Sequence, residues 1–415
     1  MSDVFVVGVG STAFDKMPER SLRDLSQEAV QACLSDASFD GTDVQSIAFG
    51  NCAMGRLGQN NLRGQVSLKP MLASGTLDRR VPITNVEAGC ATGSLALHTA
   101  ARSVASGDVD VALAVGAEKT VVPDDPARML AIFADGIDTL HPDEWKAYFA
   151  EQAASVDERF EPHPYRVLFL DLHALLARRH MARFGLTREQ LAATASKNHG
   201  HAVNNPKAQY RKPMSVHEVL ADKPVLAPLT RGMCAPLSDG AAACLLVSAD
   251  VLAGLDPDVR ARAVRIHATV QAGGAYRGID EASVSHAVGA KTWTRSGWSA
   301  SDIDVAEVHD ATAFCELLHL EGLGFVQDGQ AGAMAAAGET TLGGSIPVNT
   351  SGGLESKGHP LAATGLGQVG EVVLQLRQEA GERQVAGARR GLVHNAGGAI
   401  GLDEAVAAVT LLERT

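Results

Sequence analysis

The stretch "NVEAGCATGSLAL" at residues 85–97 sets Cys90 between Gly89 and Thr92-Gly93, with an apolar run of helical spacing behind it. The glycines permit a tight strand-to-helix turn. A thiol at a helix N-terminus has its thiolate stabilised by free N–H groups and the helix dipole, which lowers its pKa and makes it a nucleophile. The same spacing suits an ordinary buried thiol, one of the most buried residue types. A nucleophile needs a base, and "SKGHPLAATG" offers His359, which as a lone histidine before proline is equally a plain loop residue. His309-Asp310 closes the apolar run "DVAEVHD", and polar groups at a strand end point to a site in open α/β sheets. Asp310 is also placed to cap the helix expected over "AFCELLHLEGLGF". Near the C-terminus, "VHNAGGAIG" is Gly-rich without GxGxxG spacing. Its backbone N–H groups could hold an oxyanion, or simply form a tight turn.

An internal duplication supplies the elements that position these groups. "VFVVGVGST" reads as a buried strand, and "LRDLSQEAVQACLSDA" as a helix with Leu22, Leu25, Ala29, Val30 and Cys33 on one face. "DGTDVQSIAFGNC" adds a turn and a strand. "VSHAVGAKTWTRSGW" and "SASDIDVAEVHDAT" repeat that helix, turn and strand, with Asp302-Ile303 matching Asp43-Val44. Segments beginning at Asn85 and Asn349 each run turn, helix, strand. Two matched α/β halves predict a pseudo-twofold pair of sheets, with helices between and outside them and loops converging on one site. The expected boundaries are residues 1–118 plus 231–255 for the first half and 256–415 for the second. Residues 119–230, helical, charged and rich in the chain's aromatics, read as an insertion that caps the site.

Composition narrows the function class. The 415 residues are 46% hydrophobic and 20% charged, ordinary values for a globular protein. A net charge of −12 argues against a nucleic-acid surface, which needs clustered Lys and Arg. No apolar stretch reaches the roughly 18 residues of a membrane span. "MSDVFVVGVG" lacks a basic region before its apolar run and reads as a strand. Six cysteines without a CxxC pair suit free thiols in a reducing compartment rather than a disulfide framework or zinc site. A cytoplasmic enzyme without bound metal is the expectation.

Together these stretches resemble the thiolases, most closely the branch related to the thiolase domain of sterol carrier protein 2, in the manner of an acetyl-CoA acetyltransferase. "EAGCATGS" is similar to the nucleophile loop, "EVHDAT" to the HDCF-type block, "GHPLAATG" to the GHP block and "HNAGGAIG" to the HN-x-G block. "RRHMARFGLTREQLAATASKNHGHAVNNPKAQYR" is similar to the loop domain, and "MCAPLSDGAAA" to its return strand. The resemblance covers essentially the whole chain. It implies an α/β, thiolase-like five-layer α-β-α-β-α fold from two duplicated halves, with an inserted helical loop domain. It further implies that Cys90, deprotonated toward His359, becomes acylated, with the oxyanion on N–H groups of Cys90 and the Gly397–Ala399 turn beside Asn395. His309 and His359 would hold the thioester oxygen of a second acyl-CoA. Arg178, Arg179, Arg183 and Lys197 would grip the phosphates of coenzyme A, a substrate and not a resident cofactor. The family also implies a homodimer, and a small zinc-ribbon/OB-fold (DUF35-type) subunit as a further partner.

The chain departs from the family at one point. The second, acid/base cysteine of ordinary thiolases is replaced by Asn395, and its position in the sterol-carrier branch by Ala311. Cys315 lies four residues beyond, one helical turn away. Proton transfer at the α-carbon then falls to His309, His359, water or the substrate. A Cys-His-His set is similar to that of decarboxylating condensing enzymes. A branched or aryl acyl-CoA, whose carbanion is stabilised, would also need no dedicated acid. The leading expectation is a thiolase-type C-acyltransferase acting on an unusual branched or aryl 3-oxoacyl-CoA. The alternatives are a thiolase-like aldolase cleaving a 3-hydroxyacyl-CoA and a condensing acyltransferase.

Overall fold

Two runs of strand and helix with the same spatial order account for most of the chain. The structure, a computed structural model, describes residues 2–415. Strands β1 (Val4–Ser11), β2 (Ser46–Gly50), β3 (Ile83–Val86), β4 (Val111–Glu118) and β5 (Gly240–Ser248) belong to the first run. Strands β6 (Val264–Gly273), β7 (Val305–Glu307), β8 (Arg390–Gly397) and β9 (Val406–Arg414) belong to the second. The helices used below are α1 (Leu22–Asp36), α2 (Thr92–Ala105), α3 (Pro126–Ala134), α4 (Pro142–Ala154) and α5 (Leu168–Phe184). They continue with α6 (Arg188–Ala202), α7 (Val284–Ser296), α8 (Ala313–Gly322) and α9 (Leu361–Arg377).

The strand order is β3-β2-β4-β5-β1-β6-β9-β8-β7. Read inward from each edge, the halves are β3-β2-β4-β5-β1 and β7-β8-β9-β6, and Val348 bridges Ala306 in parallel where the second half would place its counterpart of β3. The duplication is therefore present in the topology. One detail departs from the expectation of two separate sheets. β1 and β6 pair antiparallel at Phe5–Arg265 and Val6–Val264, so hydrogen bonding runs through all nine strands. Edge strands with free N–H and C=O groups pair when brought side by side. A buried ion pair pins this seam: Arg377, at the end of α9, reaches Asp36 at 2.8 Å and the carbonyl of Val7 at 2.9 Å.

The layers follow from which faces are apolar. α1, with an Ser21/Asp24 capping box at its start, lays Leu25, Ala29, Val30 and Cys33 on the outer face of the first half. α7 and α8 cover the outer face of the second half with Val284, Val288, Phe314 and Leu317. α2 and α9 lie between, and their Leu97, Ala100, Leu366 and Val369 join side chains from both halves in one apolar cluster. The small residues of the central layer let backbone meet backbone. A Cβ on Gly116 of β4 would lie 2.0 Å from the carbonyl oxygen of Ala362 in α9. Gly116→Ala is accordingly expected to destabilise the protein by about 1–3 kcal/mol or more, through overpacking that no rotamer relieves. A urea titration would read this as a lowered midpoint at unchanged slope.

Between β4 and β5 the chain forms α3 to α6. Trp145, Phe149, Leu172 and Leu175 build a separate apolar cluster there that takes in Ile279 and Leu402 from the second half. This carries residues of the intervening segment to the mouth of the site. Among the described residues no helix is long and apolar enough to cross a membrane.

Candidate active site

Cys90 and His359 occupy equivalent positions. Each stands two residues before the first residue of a central-layer helix, Thr92 of α2 and Leu361 of α9. The Cys90 turn is held by Thr92, whose hydroxyl donates to the carbonyl of Gly89 at 2.6 Å and accepts from the N–H of Ala88 at 2.8 Å. Gly89 has φ +54°. A Cβ on Gly89 would meet the nitrogen of Gly398 at 2.6 Å, and one on Gly397 would meet the nitrogen of Cys90 at 2.5 Å. The Gly-rich segment of β8 is thus needed for close backbone approach to the cysteine turn.

β7 ends just before His309, which completes the group. The sulfur of Cys90 and one ring nitrogen each of His309 and His359 all lie within 4.8 Å of one another. The imidazole centroids are 5.1 Å apart, at an interplanar angle of 79°. Hydrogen bonds give the rings opposite roles. Thr364 directs its hydroxyl hydrogen to the carbonyl of Pro360 at 3.2 Å, so it accepts from Nδ1–H of His359 at 2.7 Å. The Nε2 lone pair of His359 is then free to take a proton. Asn395 donates through Nδ2 to Nδ1 of His309 at 2.9 Å, leaving the His309 hydrogen on Nε2. Its Oδ1 meets no partner. One ring is therefore set as a base and the other as a donor.

Electrostatics correct one expectation. Burial pushes the Cys90 thiol up to about 12, and the carboxylates of Glu118 and Glu87 add to this. The N–H groups of Cys90 and Gly398 pull the other way but do not win. The half-buried sulfur sits ahead of α2 among apolar and acidic neighbours, and desolvation exceeds the helix effect. Burial also draws His359 down to about 3, and holds His309 well below the ordinary range with help from His359. All three groups are neutral at pH 7. The thiol must pass its proton to His359 as it attacks. Alkylation of Cys90 by iodoacetamide without substrate is expected to rise about tenfold per pH unit between pH 7 and 10, because the thiolate fraction grows below the pKa. A plateau near pH 7 would contradict a buried neutral thiol.

Two cavities flank the sulfur. One, about 90 Å³, is lined by Cys90, His309, Ala311, His359, His173 and Glu404 among others. The other, about 220 Å³, is bounded by Cys52, Arg63, Ile132, Phe133, Asp135 and Leu361. Phe133 and Phe169 border both. A roomier cleft of about 550 Å³ opens elsewhere, beside Thr12, Lys207 and Glu371, with none of the three groups on its wall. His173 and Glu404 escaped the sequence reading. His173 sits inside the pattern of a charged helix, and the only signal for Glu404 was the acidic pair in "GLDEAV" ahead of a buried strand.

Other residues are placed differently from expectation. The N–H of Ala399 is taken by the carbonyl of Gly136 at 2.7 Å, which leaves the Gly398 N–H as the turn's donor to Cys90. Lys197 is buried, 2.6 Å from Glu316 and 3.0 Å from the carbonyl of Val348, so it is unavailable to a phosphate. Arg178 pairs with Glu158 at 2.9 Å, and Arg179 and Arg183 both pair with Asp280. Those guanidinium groups already have carboxylate partners. Cys315 is buried against Thr312 and reaches neither cavity wall. Asp310 does not cap α8. It accepts from the N–H of Leu354 at 2.8 Å and so steadies the loop that carries His359.

Comparison with known proteins agrees with this geometry. Residues 4–226 match the family described as thiolase, N-terminal domain, and residues 279–410 the thiolase C-terminal domain-like family. An acetyl-CoA acetyltransferase of Methanothermobacter thermautotrophicus is 37% identical over 403 residues, covering 96% of this chain and 97% of that protein. Sterol carrier protein 2 of Homo sapiens is 35% identical over 409 residues, covering 95% and 70%. Among solved structures, the Ltp2-ChsH2(DUF35) aldolase superposes with a TM-score of 0.75 at 22% identity, covering 100% of this chain and 98% of that one. Human mitochondrial 3-ketoacyl-CoA thiolase superposes at 0.70 and 16%, covering 100% and 99%.

Proposed function

The chain belongs to the thiolase family, and from that premise we propose that it makes or cleaves a branched or aryl 3-oxoacyl-CoA through an acyl-enzyme on Cys90. The observation that carries the reading is the approach of the Cys90 sulfur to His309 and His359, all within 4.8 Å. In the cleavage direction His359 Nε2 takes the thiol proton as sulfur attacks the 3-oxo carbon. The N–H groups of Cys90 and Gly398 face the sulfur and the developing oxyanion, and His309 Nε2–H is directed at the thioester oxygen of the departing enolate. Coenzyme A is a substrate in this scheme, reaching the sulfur past α5.

Support for a bulky acyl group comes from the second cavity. Its 220 Å³ is several times the ~30 Å³ share of one liquid water, and Ile132, Phe133 and Leu361 give it an apolar side facing Arg63, Glu87 and Asp135. The reading extends to organisation. Residues 119–230 act as the loop domain between a first half at 1–118 plus 231–255 and a second at 256–415. A homodimer is proposed, with a DUF35-type partner suggested by the name of the aldolase that shares the fold.

Incubation with linear, branched and aryl 3-oxoacyl-CoAs, followed by mass analysis of the Cys90 peptide, tests the proposal. An acyl mass shift, largest for branched or aryl chains, is the expected result. An unmodified peptide under turnover would sink the reading.

A further inference from the structure

Resting on that reading, we propose that Glu404 is the acid/base that moves the α-carbon proton, in the cavity where the family's second thiol is missing. The carboxyl lines the same small cavity as Cys90, His309 and His359, and Ala311, one of the two positions emptied of cysteine, is on the same wall. Asn395, at the other emptied position, is committed to His309. Among the described residues, no other carboxylate lines that cavity.

The backbone around Glu404 is built to hold it there. Ile400 and Asp403 exchange N–H to C=O bonds at 2.9 and 3.2 Å across a tight turn. Asp403 accepts from the N–H of Val284 at 2.9 Å, and Arg277 donates to the carbonyl of Leu402 at 3.1 Å. A Cβ on Gly274 would lie 1.9 Å from the carbonyl oxygen of Glu404, so the opposite strand gives way for this segment. The side chain remains 18% exposed. The buried His319 ring lies beside it, with Nε2, otherwise unpartnered, at 3.6 Å from Oε1. His319 in turn packs edge-on to His309, centroids 6.4 Å apart.

The charged and titratable groups around Glu404 are Asp403, Arg277, His319 and Cys315, with Cys90, His173, His309 and His359 on the shared cavity wall. Burial raises the Glu404 carboxyl to about 7 and Asp403 adds to the rise, against its own backbone N–H and Arg277. A group half-protonated near neutrality can both give and take a proton.

The step balances. When Cys90 attacks the 3-oxo carbon, the C2–C3 bond breaks and its electron pair stays on C2 as the enolate of the departing acyl-CoA. Glu404 gives that carbon a proton and becomes a carboxylate. The incoming thiol of coenzyme A returns a proton to Glu404 as its sulfur attacks the acyl-Cys90 thioester. The Cys90 thiolate so released recovers the proton held by His359.

Two readouts on the full-length chain separate this step from acylation. S-phenyl thioacetate acetylates Cys90 with a leaving thiolate that needs no acid, and Glu404→Gln is expected to be labelled at the wild-type rate. Exchange of solvent deuterium into C2 of acetyl-CoA or propionyl-CoA is expected to fall about 100-fold or more in Glu404→Gln. In the wild type that exchange rises with pH through about 7, since the carboxylate is the form that accepts, and Glu404→Gln loses the step. Glu404→Asp, which keeps the carboxyl, retains both the step and part of the rate. Exchange in Glu404→Gln within about threefold of the wild type, or an unmoved pH step, overturns the role of Glu404 while leaving Cys90 acylation intact. Absence of exchange in the wild type with both thioesters also overturns it. Failure of the wild type to be labelled at Cys90 overturns the underlying reading instead.

Discussion

Cys90→Ala is expected to lose all acyl-enzyme and to lower thiolytic turnover by about 10⁴-fold or more, because no neighbouring group can replace a covalent nucleophile. Cys52 is the nearest thiol on the adjoining cavity, but its sulfur is occupied by the carbonyl of Gly89 at 3.0 Å and the hydroxyl of Thr92 at 3.0 Å. Burial holds its pKa well above the ordinary value, so it offers no substitute. The same variant separates two chemistries. Retro-aldol cleavage of a 3-hydroxyacyl-CoA needs a base but no thiol, so an aldolase would survive Cys90→Ala nearly unchanged. Quenched-flow assays with a 3-oxoacyl-CoA and a 3-hydroxyacyl-CoA, run side by side on wild type and variant, distinguish them.

His359→Ala is expected to slow acylation of Cys90 by about 10²–10⁴-fold at pH 7, the usual worth of a positioned general base. The direction of recovery is specific. With the thiol at about 12, loss of the base leaves hydroxide as the means of ionising it, so the variant's rate should climb with pH toward about 12. Wild-type acylation should stay flat over the neutral range, since His359 at about 3 is already in its accepting form there. A variant whose rate is level from pH 7 to 10 would place the base elsewhere.

Much of this candidate site is legible in the sequence. Cys90 and His359 sit among glycine or proline punctuation, His309 closes an apolar run, and the duplication says which loops must meet. The same repetition implied two matched α/β halves, because matched segments fold into matched positions, but not the order of their strands. What the letters could not carry were quantities set by distant neighbours. The elevated pKa of Cys90 comes from burial and from Glu118, far away in sequence, whereas the local pattern showed only the helix. Only the resemblance of its segment to the loop domain implies Lys197 as a phosphate ligand, and its partner Glu316, on α8, is invisible from the sequence of α6. Glu404 gave almost no sign of itself, since a cavity wall is a property of folded backbone. The join between β1 and β6 was likewise hidden, because edge pairing depends on how two sheets come to lie.

The central layer divides the molecule into still and moving parts. α9 is buried along nearly its whole length and α2 along one full face, and Cys90 and His359 stand just ahead of their first turns. Amides there should exchange with solvent only when the whole protein opens, so the reacting geometry is as rigid as the fold itself. Substrate must still reach a half-buried sulfur flanked by two small cavities, and the outer segment borders both. α3 and α4, more exposed and packed around Phe133, Trp145 and Phe149, are where opening should be fastest. The rate at which acyl-CoA is admitted or released would then be set by breathing of those helices, while the chemical step answers to the core.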